Sequence, residues 1–355
     1  MSNLSRALNS TISKYLRKEE VNILRRRKLT TALKSRGRIT TNNSGLDLVW
    51  RVRYKRAPLV DYGVGQTVTF VQRNKRKTAT LPWRSYIVSD AMTKGERLQN
   101  RGKEAVIPIY ANLVKELVDD IADHFAEELY VDGNASGNEQ KIHGLESAFA
   151  VSGPDPNGFI GLPNDTYAGH STALGNSGGT WTGNWPSGFG DSHYDWWSPI
   201  VGDYTDTAWA AATKTWANTA EEVLRFAIIN CERNASKIDL VLLEKELYRQ
   251  FLDALSDRQR FELYRTDQGD PNYSLGFSDF QIFDGVRVSW EQGTPAGVGY
   301  GLSLGEMELA SQQGQLFDSN NEDFDQASQS HRFAVDFYGN LRFNPRNQFK
   351  LVSLT

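Results

Sequence analysis

The residue types that could do chemistry are few and dispersed. The histidines are His124, His143, His170, His193 and His331. His124 stands at helical spacing from Asp120 and Glu128, which suits a paired surface histidine as readily as a metal ligand. Gly175-Asn176-Ser177-Gly178-Gly179 has the outline of a serine-nucleophile loop, with Asn where an Asp would stand. Such a serine needs a base within hydrogen-bond reach. His143 and His170 are the only guesses, and a flexible Gly/Ser loop needs neither. No glycine-rich loop follows a strand and opens a helix, so neither the phosphate-cradling nor the dinucleotide fingerprint is present. Cys231 is the single cysteine, which excludes an internal disulfide and a cysteine-based zinc site and points to a reducing compartment. Trp181, Trp185, Trp196, Trp197, Trp209 and Trp216 could stack on sugar rings or simply anchor a loop-rich region. No catalytic residue, metal or cofactor is assigned, and the chain does not read as an enzyme.

Charge says more. The 355 residues are 39% hydrophobic and 23% charged, an ordinary globular balance with room for one large or two ordinary domains. No apolar run is long enough to span a membrane, and residues 1–41 have no signal-peptide core. The net charge of −3 conceals an asymmetry: residues 1–101 hold 23 Lys and Arg against 6 Asp and Glu, a net +17, and the rest hold 17 against 37, a net −20. A basic arm on an acidic body suits contact with nucleic acid or with the acidic surface of another copy, and also suits a solvated tail.

The element that would position everything else is one long amphipathic helix. From Ala105, Val106, Ile109, Leu113, Leu117, Ile121, Phe125 and Leu129 recur at helical spacing, and Glu116, Asp119, Asp120, Asp123 and Glu127 fill the other side. Some ~25 residues at ~1.5 Å each make a rod of roughly 40 Å. Before it, Thr40 to Gly45 has loop composition, 46–54 alternates with a period of two, and 66–72 and 78–88 read as two further strands. The basic turn Arg73 to Lys77 joins the last two into a hairpin, which has no local helix to pack on and is marginal alone. After the rod, 131–137 is a turn, and 151–218 reads as long loops with short strands. Thr219-Ala220-Glu221-Glu222 has the form of a capping box opening a helix to about 234. A strand at 238–243, a helix at 244–255 and strands at 280–290 and 300–304 follow. The tail alternates from 332 to 354, with turns at Gly339-Asn340 and Asn344-Pro345.

The ordered set of motifs from Gly161 on resembles the major capsid proteins of tailed bacteriophages, with the Hong Kong 97-type fold. Tyr167-Ala168-Gly169-His170-Ser171 followed by Trp196-Trp197-Ser198-Pro199 is similar to that family's tyrosine–glycine and paired-tryptophan segment, without its arginine and with a longer gap. Helix 219–234, Lys237 to Leu243, and Tyr248, Phe251, Leu252, Leu255, Gln259 and Arg260 follow in the family's order. So do Leu275-Gly276-Phe277, Phe283 to Glu291, Pro295, Gly299 to Leu302, Met307-Glu308-Leu309 and Tyr338 to Arg346. The first half agrees in layout.

The resemblance implies an α+β, Hong Kong 97-like capsid fold: N-terminal arm 1–45, extended β-hairpin loop 46–90, a peripheral domain of 91–140 with 311–355 around the spine helix, and an axial domain 141–310 with an enlarged loop region 151–218. It implies a coat protein that self-assembles into an icosahedral shell enclosing double-stranded DNA. The partners would be many copies of itself in pentamers and hexamers, packaged DNA, and scaffolding, portal and decoration proteins. The location would be the virion capsid, assembled in the host cytoplasm. The expected contact residues are Arg25, Arg26, Arg27 and Lys28 on the arm and Trp50, Phe70, Arg73, Lys75, Arg76 and Lys77 on the hairpin. Val106, Ile109, Leu113, Leu117, Ile121 and Phe125 would pack the helix. The alternative is a non-assembling nucleic-acid-binding protein with a basic arm; a sugar-binding or hydrolytic use of the tryptophan-rich region is a third reading.

Overall fold

The computed structural model describes residues 27–53, 59–67, 69–72, 74–95, 113, 116–117, 119–121, 123–154, 159–173, 197–232, 236–256, 281–326 and 329–354. The first half of the expected rod, with Val106 and Ile109, lies outside them. Within them, residues 113, 116–117, 119–121 and 123–128 are helical (α2 below). Leu117, Ile121, Phe125 and Leu129 are buried at a spacing of four, as the apolar stripe requires.

Two sheets organise the chain. The five-stranded sheet is built on β16 (Ser330–Phe343). One edge of β16 pairs antiparallel with β4 (Arg84–Thr93), the other with β15 (Asp318–Asp325) and β14 (Met307–Gln312). β1 (Ile39–Asn43) adds in parallel to β14. The six-stranded sheet runs β11 (Gln281–Phe283), β12 (Val286–Trp290), β10 (Leu240–Leu243), β13 (Gly299–Leu302), β17 (Phe349–Val352), β9 (Ile200–Asp203). The other helices are α1 (Lys28–Ser35), α3 (Trp216–Cys231) and α4 (Lys245–Ser256). Short two-stranded pieces fill 151–171: β5 (Val151–Pro154) with β6 (Gly161–Pro163), and β7 (Thr166–Tyr167) with β8 (His170–Ser171).

Alternation along the six-stranded sheet divides two cores. Leu240 and Leu242 of β10, with Tyr300 and Leu302 of β13, join a core that also holds Leu29 and Leu33 of α1, Phe125 of α2, and Phe337 and Leu341 of β16. Val241 and Leu243, with Phe349 and Leu351 of β17, face the other core, with Val223, Leu224 and Ala227 of α3 and Phe251 of α4. Gly301 shows how tight this second layer is. A Cβ there would lie 2.0 Å from the ring of Phe349, so only glycine lets that ring cross the strand.

Several expectations need correcting. Thr40 to Asn43 is strand rather than loop: Thr40 Oγ1 donates to Glu308 and Asn43 Nδ2 to the Ser311 carbonyl, 3.1 Å, so its polar side chains knit a parallel pairing. The helix expected from Thr219 starts at Trp216. Thr219 is buried in its first turn, where its hydroxyl donates to the Tyr204 carbonyl at 2.9 Å. Gly339-Asn340 is no turn but mid-strand. A Cβ at Gly339 would meet the Ala310 carbonyl oxygen at 2.4 Å, so glycine lets β14 approach. Asn340 is wholly buried, accepting from the His143 and Leu341 amides at 2.9 Å and donating to the Pro82 carbonyl at 2.8 Å. The last strand, β17, lies inside the six-stranded sheet, between β13 and β9.

Candidate assembly surface

The expected hairpin is displaced. β2 (Asp47–Arg53) pairs with β3 (Arg76–Pro82), not 66–72 with 78–88, and the expected third stretch is split at Trp83 between β3 and β4. Among the described residues, none of 66–72 is in a strand. Val68, Phe70 and Val71 give the stretch a strand-like composition, but no described strand pairs with it.

The root of the hairpin is held by the body. Leu48, Val52, Ala79 and Leu81 enter the first core. Trp50 is half-buried, its ring 6.5 Å from that of Tyr167. The turn Tyr167-Ala168-Gly169-His170 grips β3: the Ala168 carbonyl accepts from the Thr80 amide at 3.2 Å, and His170 Nε2 lies 2.8 Å from the Thr78 carbonyl oxygen. Asn340 closes the far end through its bond to Pro82. Beyond the root, 59–72 is a different surface. Leu59, Val60, Tyr62, Val64, Phe70 and Val71 are all exposed, Phe70 to 93%. So many large apolar side chains on one excursion mark an interaction site.

A basic concavity sits between root and tip, lined by Arg51, Gln72, Asn74, Lys75, Arg76 and Thr78. Arg53 and Arg76 are directly opposed across the ladder. Like charges directly opposed on a ladder are destabilising. Lys77 is half-buried on β3, opposite Val52. Arg73 lies outside the described residues, as do Arg25 and Arg26.

Arg27 and Lys28 are engaged within the chain. Arg27 pairs with Asp123 of α2 at 2.7 Å and donates to Gln292 at 3.2 Å. Lys28 Nζ donates to Ser289 Oγ at 2.6 Å and lies 4.9 Å from the Trp290 ring centre. They seat the start of α1 on a buried carboxylate that sequence reading missed. Glu291 accepts from Tyr130 Oη at 2.8 Å and from the Leu29 amide at 3.2 and 3.3 Å. Burial raises the pKa of the Glu291 carboxyl, and burial beside that carboxylate raises the Tyr130 phenol. A second cluster joins Glu146 to Lys350 Nζ at 2.6 Å and to Tyr300 Oη. Its members come from three distant stretches, which no linear motif marks.

Leu113 is half-buried, and Phe125 packs against Phe337 with ring centres 4.6 Å apart. His143 is buried, its Nδ1 accepting from Asn340 Nδ2 at 3.0 Å; burial lowers its pKa to about 4. Trp197, Trp209 and Trp216 are buried, their ring N–H groups donating to the carbonyls of His170, Asp203 and Leu247. These three are anchors rather than a stacking surface. Trp181, Trp185, Trp196 and the 175–179 loop lie outside the described residues.

No protein-family model matches the chain, and no curated protein matches it in sequence. Solved structures do. The capsid asymmetric unit of cyanophage A-1(L) is 15% identical, with a TM-score of 0.52, over 90% of this chain and 91% of that one. The capsid of a native GTA particle is 10% identical, also with a TM-score of 0.52, over 91% of each chain. That of an empty GTA particle is 11% identical, with a TM-score of 0.50, over 90% of this chain and 96% of that one. At such identities the likeness speaks for the backbone alone, and on it this chain has the capsid-protein fold of these phage and GTA particles.

Proposed function

We propose that this chain is a major capsid protein that self-assembles into an icosahedral shell around double-stranded DNA. The observation that carries the reading is the end-to-end likeness of fold to capsid subunits, over about nine-tenths of both chains. The exposed apolar excursion 59–72 supports it, because such a surface wants a partner. In this reading 1–45 is the N-terminal arm, 46–90 the extended hairpin loop, 91–140 with 311–355 the peripheral domain, and 141–310 the axial domain. Pentamers and hexamers close through many weak contacts that become collectively stable. Phe70, Lys75, Arg76 and Lys77 contact neighbouring copies. Arg25 and Arg26 serve copies or DNA phosphates, sequence-independently. Scaffolding, portal and decoration proteins are the further partners, and the host cytoplasm is the place of assembly.

The test is negative-stain electron microscopy of the separately expressed chain, with size-exclusion chromatography alongside, in the presence and absence of a scaffolding protein. Closed shells, or rings of five and six subunits, are the expected result. A chain that never assembles yet binds DNA with a steep salt dependence would overturn it in favour of a nucleic-acid-binding protein.

A further inference from the structure

The outer face of the hairpin root gathers cations without carboxylates. Arg51 and Arg53 occupy that face of β2, and Arg76 and Thr78 the same face of β3, because opposed residues share one side of a ladder. Arg53 stands opposite Arg76, and Arg51 opposite Thr78. All four are exposed. The other face, with Leu48, Val52, Ala79 and Leu81, is the one that enters the first core. Elsewhere, exposed arginines hold a carboxylate. Arg36 pairs with Asp239 at 2.8 Å, Arg225 with Asp284 at 3.1 Å and Arg249 with Asp253 at 2.7 Å. Among the described residues, no carboxylate pairs with Arg51, Lys75 or Arg76. The one acidic residue on β2 and β3 is Asp47, opposite Pro82 at the far end of the ladder.

The concavity on this face measures about 790 Å³, within the roughly 300–1,000 Å³ of small-ligand clefts. Its lining is Arg51, Gln72, Asn74, Lys75, Arg76 and Thr78. Every one of these side chains can donate a hydrogen bond, and none is acidic. The chain turns tightly there, with Asn74 Oδ1 accepting from the Arg76 amide at 3.3 Å. An apolar ligand would strand the donors, and a single small anion would leave most of them unused. What matches the lining is an anion with many oxygens, long enough to reach more than one cation. Guanidinium groups take phosphate oxygens two at a time, and a lysine adds a point charge.

We propose that this concavity binds a phosphate chain, the group shared by inorganic polyphosphate, nucleoside triphosphates and the nucleic-acid backbone. Arg51 and Arg76 clamp neighbouring phosphates, Lys75 adds its charge, and Gln72, Asn74 and Thr78 donate to the remaining oxygens. The site belongs to a single chain, so it stands whether or not the chain builds shells.

Calorimetric titration of the full chain tests it, with inorganic tripolyphosphate in one arm and oligothymidylate in the other. The expected result is one tripolyphosphate per chain, held more weakly as salt rises. Changing Arg51→Gln and Arg76→Gln together should weaken binding about tenfold or more, the loss of charge-assisted bonds. Lys237→Gln, an exposed cation on another element, should leave it unchanged. Tripolyphosphate binding alone assigns a free polyphosphate as the ligand. Competition between the two probes, or binding of oligothymidylate alone, assigns the nucleic-acid backbone. A chain that binds neither probe overturns the proposal, and so does a Lys237→Gln chain that loses as much as the double variant. Should the double variant not fold, acetylation of the unmodified chain with acetic anhydride decides, read by mass spectrometry. Saturating probe should then slow modification of Lys75 roughly tenfold and leave Lys237 untouched. Equal rates at Lys75 with and without either probe overturn the site.

Discussion

Leu81 and Phe70 belong to the same hairpin; Leu81 is 1% exposed and Phe70 is 93% exposed. Around Leu81, β2 and β3 bury alternate residues in the first core, and the 167–170 turn and Asn340 hold the strand by its main chain. Around Phe70 the apolar residues find nothing among the described residues to bury against. The difference teaches that a period of two fixes which faces of a ribbon are apolar. Whether a strand forms depends on a partner, and partners can lie in another molecule.

Changes at the root should unfold the subunit, and changes at the tip should leave it folded but alone. The largest effect belongs to Leu81→Ala, which opens a cavity in the shared core and should cost about 2–5 kcal/mol in denaturant unfolding of the unassembled chain. A loss as small as that of a surface change would mean that the root does not belong to the body.

Acid reaches the root through His143, whose ring accepts from the asparagine that holds Pro82. Its folded pKa of about 4 lies below the ordinary 6.5, so the neutral ring is the native form. The stability this gives is present above pH 6.5. It is lost as pH falls from 6.5 towards 4, because the unfolded chain takes up the proton first. At pH 5 the loss should be about 2 kcal/mol relative to pH 8. Subtracting the pH profile of His143→Gln isolates it from other titrating groups. Identical profiles would remove the role.

His170→Ala comes next, at about 0.5–1.5 kcal/mol, the worth of one hydrogen bond to the Thr78 carbonyl. Phe70→Ala should be smallest on this scale, within about 0.5 kcal/mol, because nothing buried is removed. Its consequence appears in sedimentation instead, where the shell fraction falls while the free subunit stays folded. A Phe70→Ala chain that unfolds more readily than Leu81→Ala would reverse the comparison.

Much of the framework was legible in the sequence because its signals are local. The runs at 219–231, 240–243 and 245–255 carry their own period, and they lie where the helix–strand–helix reading puts them. The errors share a cause. Thr40 to Asn43 reads as loop because its strand is made by a parallel partner far along the chain. Gly339-Asn340 reads as a turn because its glycine serves a close approach and its asparagine a buried network. Of the candidate surface, Phe70 and the basic run could be singled out, but nothing linear separates Arg27 and Lys28, which are engaged within the chain, from Lys75 and Arg76 at the open concavity. Glu291 and Glu146 were invisible for the same reason, since each gains its meaning from residues on other elements.

The position of β17 between β13 and β9 has a consequence for timing. On a ribosome, β9 and β13 emerge long before residues 349–352, and they cannot join through hydrogen bonds until that strand arrives to fill the gap. Until then the six-stranded sheet is two fragments, and Phe349 and Leu351 are missing from the core beneath α3 and α4. Non-local closure of this kind is slow. β9 has no other partner strand in this sheet, so the sheet is finished only after all of its other strands have left the ribosome.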